Sequence, residues 1–338
     1  MQKTKRLSIL ICSVMICLLS CFAFVGCGES DANKIRLNEV TRSIFYAPLY
    51  VALNMGFFED EGLEVTIETA TGSDASMTAL LSGSADIILA GPETVIYSST
   101  SKDHPIVFGQ LTQKDGSFIV SREQLSEKFN LQMLKGKTII GGRAGGLPAM
   151  TLEYVIKNAG LSIGENLAAG QVNLRTDVAF NNIASEFQTS GNEFCTLFEP
   201  NATTLENEGK GYVVSAVGKV SGEIPYTCFA TKSSYLENNA EQAEKFLKAV
   251  KNGYQYIIEN SSATVAKALS STFVGMSQAE LEIAIEQYIS IDAWSDDMIM
   301  SQQSFDKLLD IINSTQGTSY APEFEELIDN SIAEKLAA

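Results

Sequence analysis

The sequence predicts an α/β protein built as two similar lobes. Short apolar runs alternate with stretches of helical spacing, the pattern of a parallel α/β sheet. The alternation breaks once and then starts again. Two stretches, Ser82-Gly83-Ser84-Ala85-Asp86-Ile87-Ile88-Leu89-Ala90-Gly91-Pro92-Glu93 and Ser190-Gly191-Asn192-Glu193-Phe194-Cys195-Thr196-Leu197-Phe198-Glu199-Pro200, follow one plan. Each is a Ser-Gly turn, a strand, then a helix start bearing Glu and Pro. A chain of 338 residues also exceeds what one core usually takes.

In the first unit Ile35–Val40 reads as a strand, and Tyr46–Met55 as a helix with Pro48 in its first turn. Leu63–Glu68 alternates like a strand. Ser73–Ser82 is a helix whose first residues, Ser and Asp, suit a cap. Ala85–Leu89 is a buried strand, Gly91-Pro92-Glu93 opens a helix, and Ile106–Gln110 is the next strand. In the second unit Thr138–Ile140 is a strand, and the glycine-rich Gly141–Gly146 leads into the helix Pro148–Ala159. Val178–Phe187 is helical, Phe194–Leu197 a strand, Glu199-Pro200 a helix start and Tyr212–Ala216 a strand. Ser117–Ser121 and Tyr226–Thr231 are strands expected to join the lobes. From Asn239 onward the chain is mostly helical, and Ala243, Phe246, Leu247, Val250, Tyr254 and Ile257 form one apolar stripe read as core. The expected organisation is a leader over 1–26, a first lobe over 28–116 and 228–338, and a second lobe with its joining strands over 117–227.

The leader has Lys3, Lys5 and Arg6, an apolar run from Leu7 to Val25, then Phe24-Val25-Gly26-Cys27-Gly28. A basic start, an apolar stretch and small residues at the cut make a secretory signal. Leu18-Leu19-Ser20-Cys21 is a rival cleavage site, but cutting there leaves Phe22-Ala23-Phe24-Val25 at the mature end. An uncleaved anchor helix is the other alternative. No later segment is apolar for long enough to span a bilayer.

The net charge of −17 argues against nucleic acid and anionic lipid as partners. Of six cysteines, only Cys27, Cys195 and Cys228 follow the cut, and His104 is the sole histidine. Zinc sites, Ser-His-Asp triads and Cys-His dyads therefore lack material, and no cofactor or metal is expected. Cys195 and Cys228 read as two buried thiols; a disulfide between them is the alternative in an exported chain.

Tyr46-Ala47-Pro48-Leu49-Tyr50-Val51-Ala52, then Gly56-Phe57-Phe58-Glu59-Asp60-Glu61-Gly62-Leu63, resembles the opening of substrate-binding proteins of ABC importers. The branch is the one associated with nitrate, sulfonates, taurine and thiamine-pyrimidine precursors. Leu80-Leu81-Ser82-Gly83-Ser84-Ala85-Asp86-Ile87 and Leu134-Lys135-Gly136-Lys137-Thr138-Ile139 are further elements of that resemblance, which runs from about Ile35 to about Glu259. The leader resembles a bacterial lipobox, with Cys27 as the lipidated residue. More than one acyl chain on it would anchor the protein stably to the membrane. The resemblance implies two Rossmann-like lobes joined by a two-strand hinge, the type II periplasmic-binding-protein arrangement, closing on a small solute. It implies an ABC permease and its ATPase as partners, and a monomer working outside the cytoplasmic membrane. The same fold hosts a pyrimidine synthase that uses clustered cysteines and histidine, which this chain lacks.

In open α/β lobes a ligand sits beyond the carboxyl ends of the strands, and between two lobes it sits in the cleft. That rule selects Arg42 and Tyr46 after the first strand, Ser73 after the second, Gly91 and Glu93 after the third, and Gln113 and Asp115 near the fourth. The other lobe offers Gly142, Arg143 and Gly146, then Phe180, then Glu199; Tyr226 lies near the returning hinge strand. Each has a plainer reading. Arg143 could pair with a surface carboxylate, the glycines could serve a tight turn, and Glu93 and Glu199 could favour the positive ends of their helices. Tyr46 and Phe180 could simply pack. If Glu93 and Glu199 face each other across the cleft, they favour a planar ligand carrying N–H donors, such as an aminopyrimidine. A sulfonate held by Arg143 and helix N-termini is the alternative ligand. The expected activity is reversible capture, without covalent chemistry; a sensor on the same fold is a further alternative.

Overall fold

The structure, a computed structural model, describes residues 33–338, so Cys27 and the leader lie outside the described residues. In chain order the strands are β1 Lys34–Glu39, β2 Glu64–Thr69, β3 Ile87–Ala90, β4 Pro105–Thr112, β5 Phe118–Ser121, β6 Thr138–Ile140, β7 Asn173–Arg175, β8 Phe194–Leu197, β9 Tyr212–Ala216 and β10 Thr227–Lys232. They form two five-stranded sheets, ordered β2-β1-β3-β10-β4 and β7-β6-β8-β5-β9. The two orders are equivalent strand for strand, which is the duplication expected from the paired Ser-Gly stretches.

Neither sheet is purely parallel. β1 and β3 run parallel, as do β6 with β7 and β6 with β8. β10 runs antiparallel to β3 and β4, and β5 antiparallel to β8 and β9. The cause is the path of the chain. β5 and β10 are the strands by which the chain enters each sheet from the other, through links 113–117 and 217–226, so they arrive pointing the opposite way. Ile35–Ala338 is nevertheless a single compact unit.

Burial explains the element boundaries. β3, β5, β6 and β8 are buried along their whole length, as their continuous apolar runs require. The helix Ala240–Glu259 buries Ala243, Phe246, Leu247, Val250 and Ile257, the stripe expected at helical spacing. Phe246 stacks on Phe58 and meets Phe229 edge-on, tying that helix to the first sheet. The helical tail also reaches the second half. The helix Gln302–Gln316 packs against the helix Leu147–Asn158. From it, Lys307 Nζ donates to the carbonyls of Ser221 and Glu223 in the returning link, at 2.7 and 2.9 Å. Trp294 is buried, and its indole N–H donates to the Phe45 carbonyl at 2.9 Å.

Cys195 and Cys228 are free and buried, one in β8 and the other in β10, on different sheets. Burial pushes both thiols well up. A thiol reagent should therefore label both only after denaturation and without reductant; labelling that needs reductant would instead show a disulfide.

Candidate functional site

A cavity of about 540 Å³ opens between the two sheets. That is within the range of small-molecule sites. Its first wall comes from three places beyond the first sheet: the turn Ser43–Tyr46, the start of the helix Ser73–Ser82, and the start of the helix Glu93–Tyr97. The second wall comes from the glycine loop leading into the helix Leu147–Asn158, and from Phe180 and Phe198. Tyr226 closes the floor at the end of the returning link.

The walls carry an aromatic cluster. Phe45 packs against Phe198, Tyr226 and Tyr288 with ring centroids 5.5, 5.8 and 5.1 Å apart, and Phe180 lies 5.4 Å from Phe198. Gly116 makes this possible, because a Cβ there would lie 2.4 Å from the Phe45 ring. In such a setting a few polar groups decide orientation and selectivity.

Glu93 is the principal one. It is 2% exposed, and its Oε2 has no hydrogen-bond partner. Burial pushes its carboxyl up to about 7, opposed by the backbone N–H groups of Glu93 itself and of Leu147. Its charge is felt by Tyr46, Tyr97, Tyr226 and Cys228. The carboxylate is held by shape: a Cβ on Gly91 would sit 1.9 Å from Glu93 Oε2 and 2.6 Å from Cδ. Glu93 thus folds into the space that Gly91 leaves empty.

At the rim, Arg143 Nη1 lies 3.6 Å from Asp74 Oδ1, both side chains being more than half exposed. On the same rim the Tyr97 hydroxyl donates to the Gly145 carbonyl at 3.3 Å. These contacts join the two walls over the cavity mouth.

Of the sites selected from sequence, Tyr46, Ser73, Gly91 and Glu93 line the first wall, Arg143, Gly146 and Phe180 the second, and Tyr226 the floor. Five are placed elsewhere. Arg42 turns away, donating from Nε to Glu39 Oε1 at 3.1 Å, beside the bonds that Tyr50 and Thr69 also give Glu39. Gln113 Nε2 donates to Asp292 Oδ2 at 3.0 Å. Gly142 backs onto Pro148 and Ala149 at the helix start. Asp115 is fully buried in the first link, where Oδ1 accepts from the Ser117 N–H and hydroxyl at 2.7 and 2.5 Å.

Glu199 is the largest departure. Its carboxylate accepts from the Thr203 N–H at 3.0 Å and the Thr203 hydroxyl at 2.9 Å, capping its own helix. Its backbone is clasped by the other half of the molecule: Ser43 Oγ donates to the Glu199 carbonyl, and the Glu199 N–H donates to the Tyr288 hydroxyl, both at 2.9 Å. The facing pair of glutamates therefore does not form. Glu199 precedes the proline at its helix start while Glu93 follows its own, which aims the two side chains differently.

Sequence reasoning missed Met77, Leu81, Tyr97 and Phe198 among the lining. Helical spacing offered a signal for two: Met77 and Leu81 stand one and two turns on from Ser73, on the same face.

Against known proteins, the family described as NMT1/THI5 like matches residues 44–263. The Bacillus subtilis (strain 168) protein YtlA, whose name describes it as a binding protein, is 38% identical over 320 residues, 94% of each chain. A 4-amino-5-hydroxymethyl-2-methylpyrimidine phosphate synthase of Aspergillus parasiticus is 22% identical over 228 residues, covering 65% of each chain. Among solved structures, the alkanesulfonate-binding protein SsuA from Xanthomonas axonopodis pv. citri, bound to MOPS, superposes with a TM-score of 0.67. It is 15% identical, with 88% of this chain and 99% of that one covered. The architecture is the periplasmic-binding-protein fold with a helical C-terminal region.

Proposed function

This chain belongs to the NMT1/THI5-like family, and on that premise we propose that it is an extracytoplasmic solute-binding lipoprotein of an ABC importer. The two sheets are the cores of two lobes. They close about the links 113–117 and 217–226 on a small solute, which is then delivered to a permease driven by its ATPase. The best-fitting solute is a planar nitrogen heterocycle of aminopyrimidine type.

The observation that carries the ligand class is the unpartnered Oε2 of Glu93, a buried residue in the lining of a cavity that also bears Phe45, Phe180 and Phe198. A buried acceptor without a partner is costly, and a solute N–H is what removes that cost. Phe45, Phe180 and Phe198 give the lining aromatic surface for a flat ring, and an amino group or ring N–H is the kind of donor that Glu93 lacks. A bare oxyanion meets the wrong charge wherever Glu93 is ionised, above about pH 7. Arg143, the cation beside the glycine loop, supports the sulfonate alternative, yet it sits at the rim already facing Asp74.

An enzyme of the synthase type is the weaker reading. His104 Nε2 is bonded to the Glu326 carbonyl, and the two described thiols are buried on separate sheets. No group of three or more His, Cys, Asp or Glu placed to hold a metal occurs among the described residues.

Calorimetric titration of the mature protein with 4-amino-5-hydroxymethyl-2-methylpyrimidine and, in parallel, taurine separates the ligands. We expect one-to-one reversible binding of the pyrimidine and no binding of taurine. Taurine binding alone would install the sulfonate reading, and turnover of the pyrimidine would install the enzyme. For the anchor, Cys27→Ala should abolish incorporation of labelled palmitate while Cys21→Ala leaves it intact. Loss of label in Cys21→Ala alone would move the cleavage site.

A further inference from the structure

We propose that the solute has two parts, a flat ring and an apolar arm, and that Met77, Leu81 and Tyr97 select it by taking the arm at the cavity mouth. The proposal rests on the reading of this cavity as the solute site and deepens it.

Size is the first reason. The cavity measures about 540 Å³. Even at about 30 Å³ per non-hydrogen atom, the share of one water in the liquid, it takes roughly eighteen such atoms. An aminopyrimidine with one-carbon substituents has only about ten, so it fills little more than half of that space. A site gains its affinity by covering most of the ligand surface, and lining atoms without a partner forfeit their contacts.

Placement is the second. The lining grades from buried to exposed. Phe45, Tyr46 and Phe198 are buried. On the helix Ser73–Ser82, Met77 is 6% exposed, and Leu81, one turn on along the same face, is 38% exposed. Tyr97 ends the helix Glu93–Tyr97 and is 37% exposed. Large apolar side chains open to water along one rim mark a contact surface. Leu81 and Tyr97 both belong to the cavity lining, so the partner continuous with that surface is the solute in the cavity.

The rim is also held in place. The Tyr97 hydroxyl donates to the Gly145 carbonyl at 3.3 Å and lies 3.7 Å from Met150 Sδ. Its ring meets that of Tyr320, with centroids 5.6 Å apart. Tyr320 is fixed in turn: its N–H donates to Asn313 Oδ1 at 2.8 Å, and its carbonyl accepts from Asn313 Nδ2 at 2.9 Å. A side chain already held loses little freedom when a solute covers it, so its burial adds to affinity. Arg143 and Asp74 share the rim but face each other at 3.6 Å, which leaves the apolar side chains as the surface the arm meets.

The test is a homologous series. Calorimetric titrations compare 4-amino-2-methylpyrimidines carrying methyl, ethyl, propyl or butyl at the 5-position. Affinity should rise about four-fold per added methylene, as for apolar groups leaving water. In Leu81→Ser the ratio of butyl to methyl affinity should fall several-fold. In parallel, accurate mass identifies the solute that the wild type retains through purification; at least about fifteen non-hydrogen atoms are expected, by the volume above. Binding that stays flat along the series overturns the proposal and leaves the aminopyrimidine reading standing. Loss of solute uptake by cells carrying Leu81→Ser would then assign the rim to the permease. If no pyrimidine binds, the aminopyrimidine reading fails, and the retained mass decides the proposal: a large solute with an apolar part sustains it, and a small one or none overturns it.

Discussion

Glu93→Gln should weaken solute binding roughly ten- to a hundred-fold and at the same time stabilise the unliganded protein at alkaline pH. The first effect follows from loss of a charged acceptor, worth about 1.5–3 kcal/mol for a hydrogen bond to a charged group. The second follows from linkage. Glu93 has a folded value of about 7 against an ordinary value of 4.5, because burial disfavours its charge. Below the ordinary value both states are protonated and the group contributes nothing. Between there and about 7 the unfolded chain ionises while the folded one holds its proton, so stability falls as pH rises. Above that window the penalty is constant, on the order of 3 kcal/mol by the size of the shift. Glutamine keeps an unsatisfied buried amide, so the net gain should be about 1–2 kcal/mol at alkaline pH, fading toward pH 4.5. Asp115 and Glu199, raised by burial to about 6 and about 7, impose penalties of the same sign and should remain in the variant's profile. Thermal midpoints across this pH range, read with calorimetric affinities, check both halves. A variant less stable than wild type at alkaline pH would show that Glu93 is not buried as a carboxylate.

Gly91→Ala should abolish tight binding as completely as removing the Glu93 side chain, though alanine contributes no polar atom. The added methyl would occupy the place of the carboxylate, 1.9 Å from Oε2. Backbone preference is not the reason, since Gly91 is absent from the residues with positive φ. Displacing the carboxylate or the strand end costs about 1–3 kcal/mol, the usual range for overpacking. The double variant Gly91→Ala with Glu93→Ala should recover the stability and none of the binding, so the two changes should be strongly non-additive. Additive stabilities would show that the methyl is accommodated elsewhere. Wild-type affinity in Gly91→Ala would remove the held carboxylate from the site.

The elements were legible where burial alone decides them. Thr138–Ile140 and Phe194–Leu197, buried throughout, have the bounds their apolar runs suggest; so does Tyr212–Ala216, half-buried but apolar in sequence, and the helix Ser73–Ser82 ends where Gly83 takes a positive φ. Asn173–Arg175 was not legible, because a three-residue edge strand that is only half-buried carries no apolar run. Nor was the antiparallel entry of β5 and β10, which depends on which sheet the chain comes from rather than on any local pattern. For the site, the rule that ligands sit beyond strand ends led to the loops that line the cavity. It could not separate Glu93 from Glu199. That difference lies in two residues of register about a proline and in Thr203, four positions on from Glu199, whose N–H and hydroxyl both donate to the Glu199 carboxylate. Arg42 and Gln113 failed for a related reason: each found a carboxylate within reach, Arg42 that of Glu39 three residues earlier and Gln113 that of Asp292 far along the chain, a pairing that sequence does not show.

The central claim is that the cavity between the sheets holds a donor-bearing solute on Glu93. Native mass spectrometry of the mature protein, purified without refolding, tests it most directly by weighing what the protein retains. The expected result is one bound small molecule per chain, nitrogen-rich by accurate mass, present on the wild type and depleted on Glu93→Gln. A sulfur-containing anion retained equally by both proteins would contradict the account.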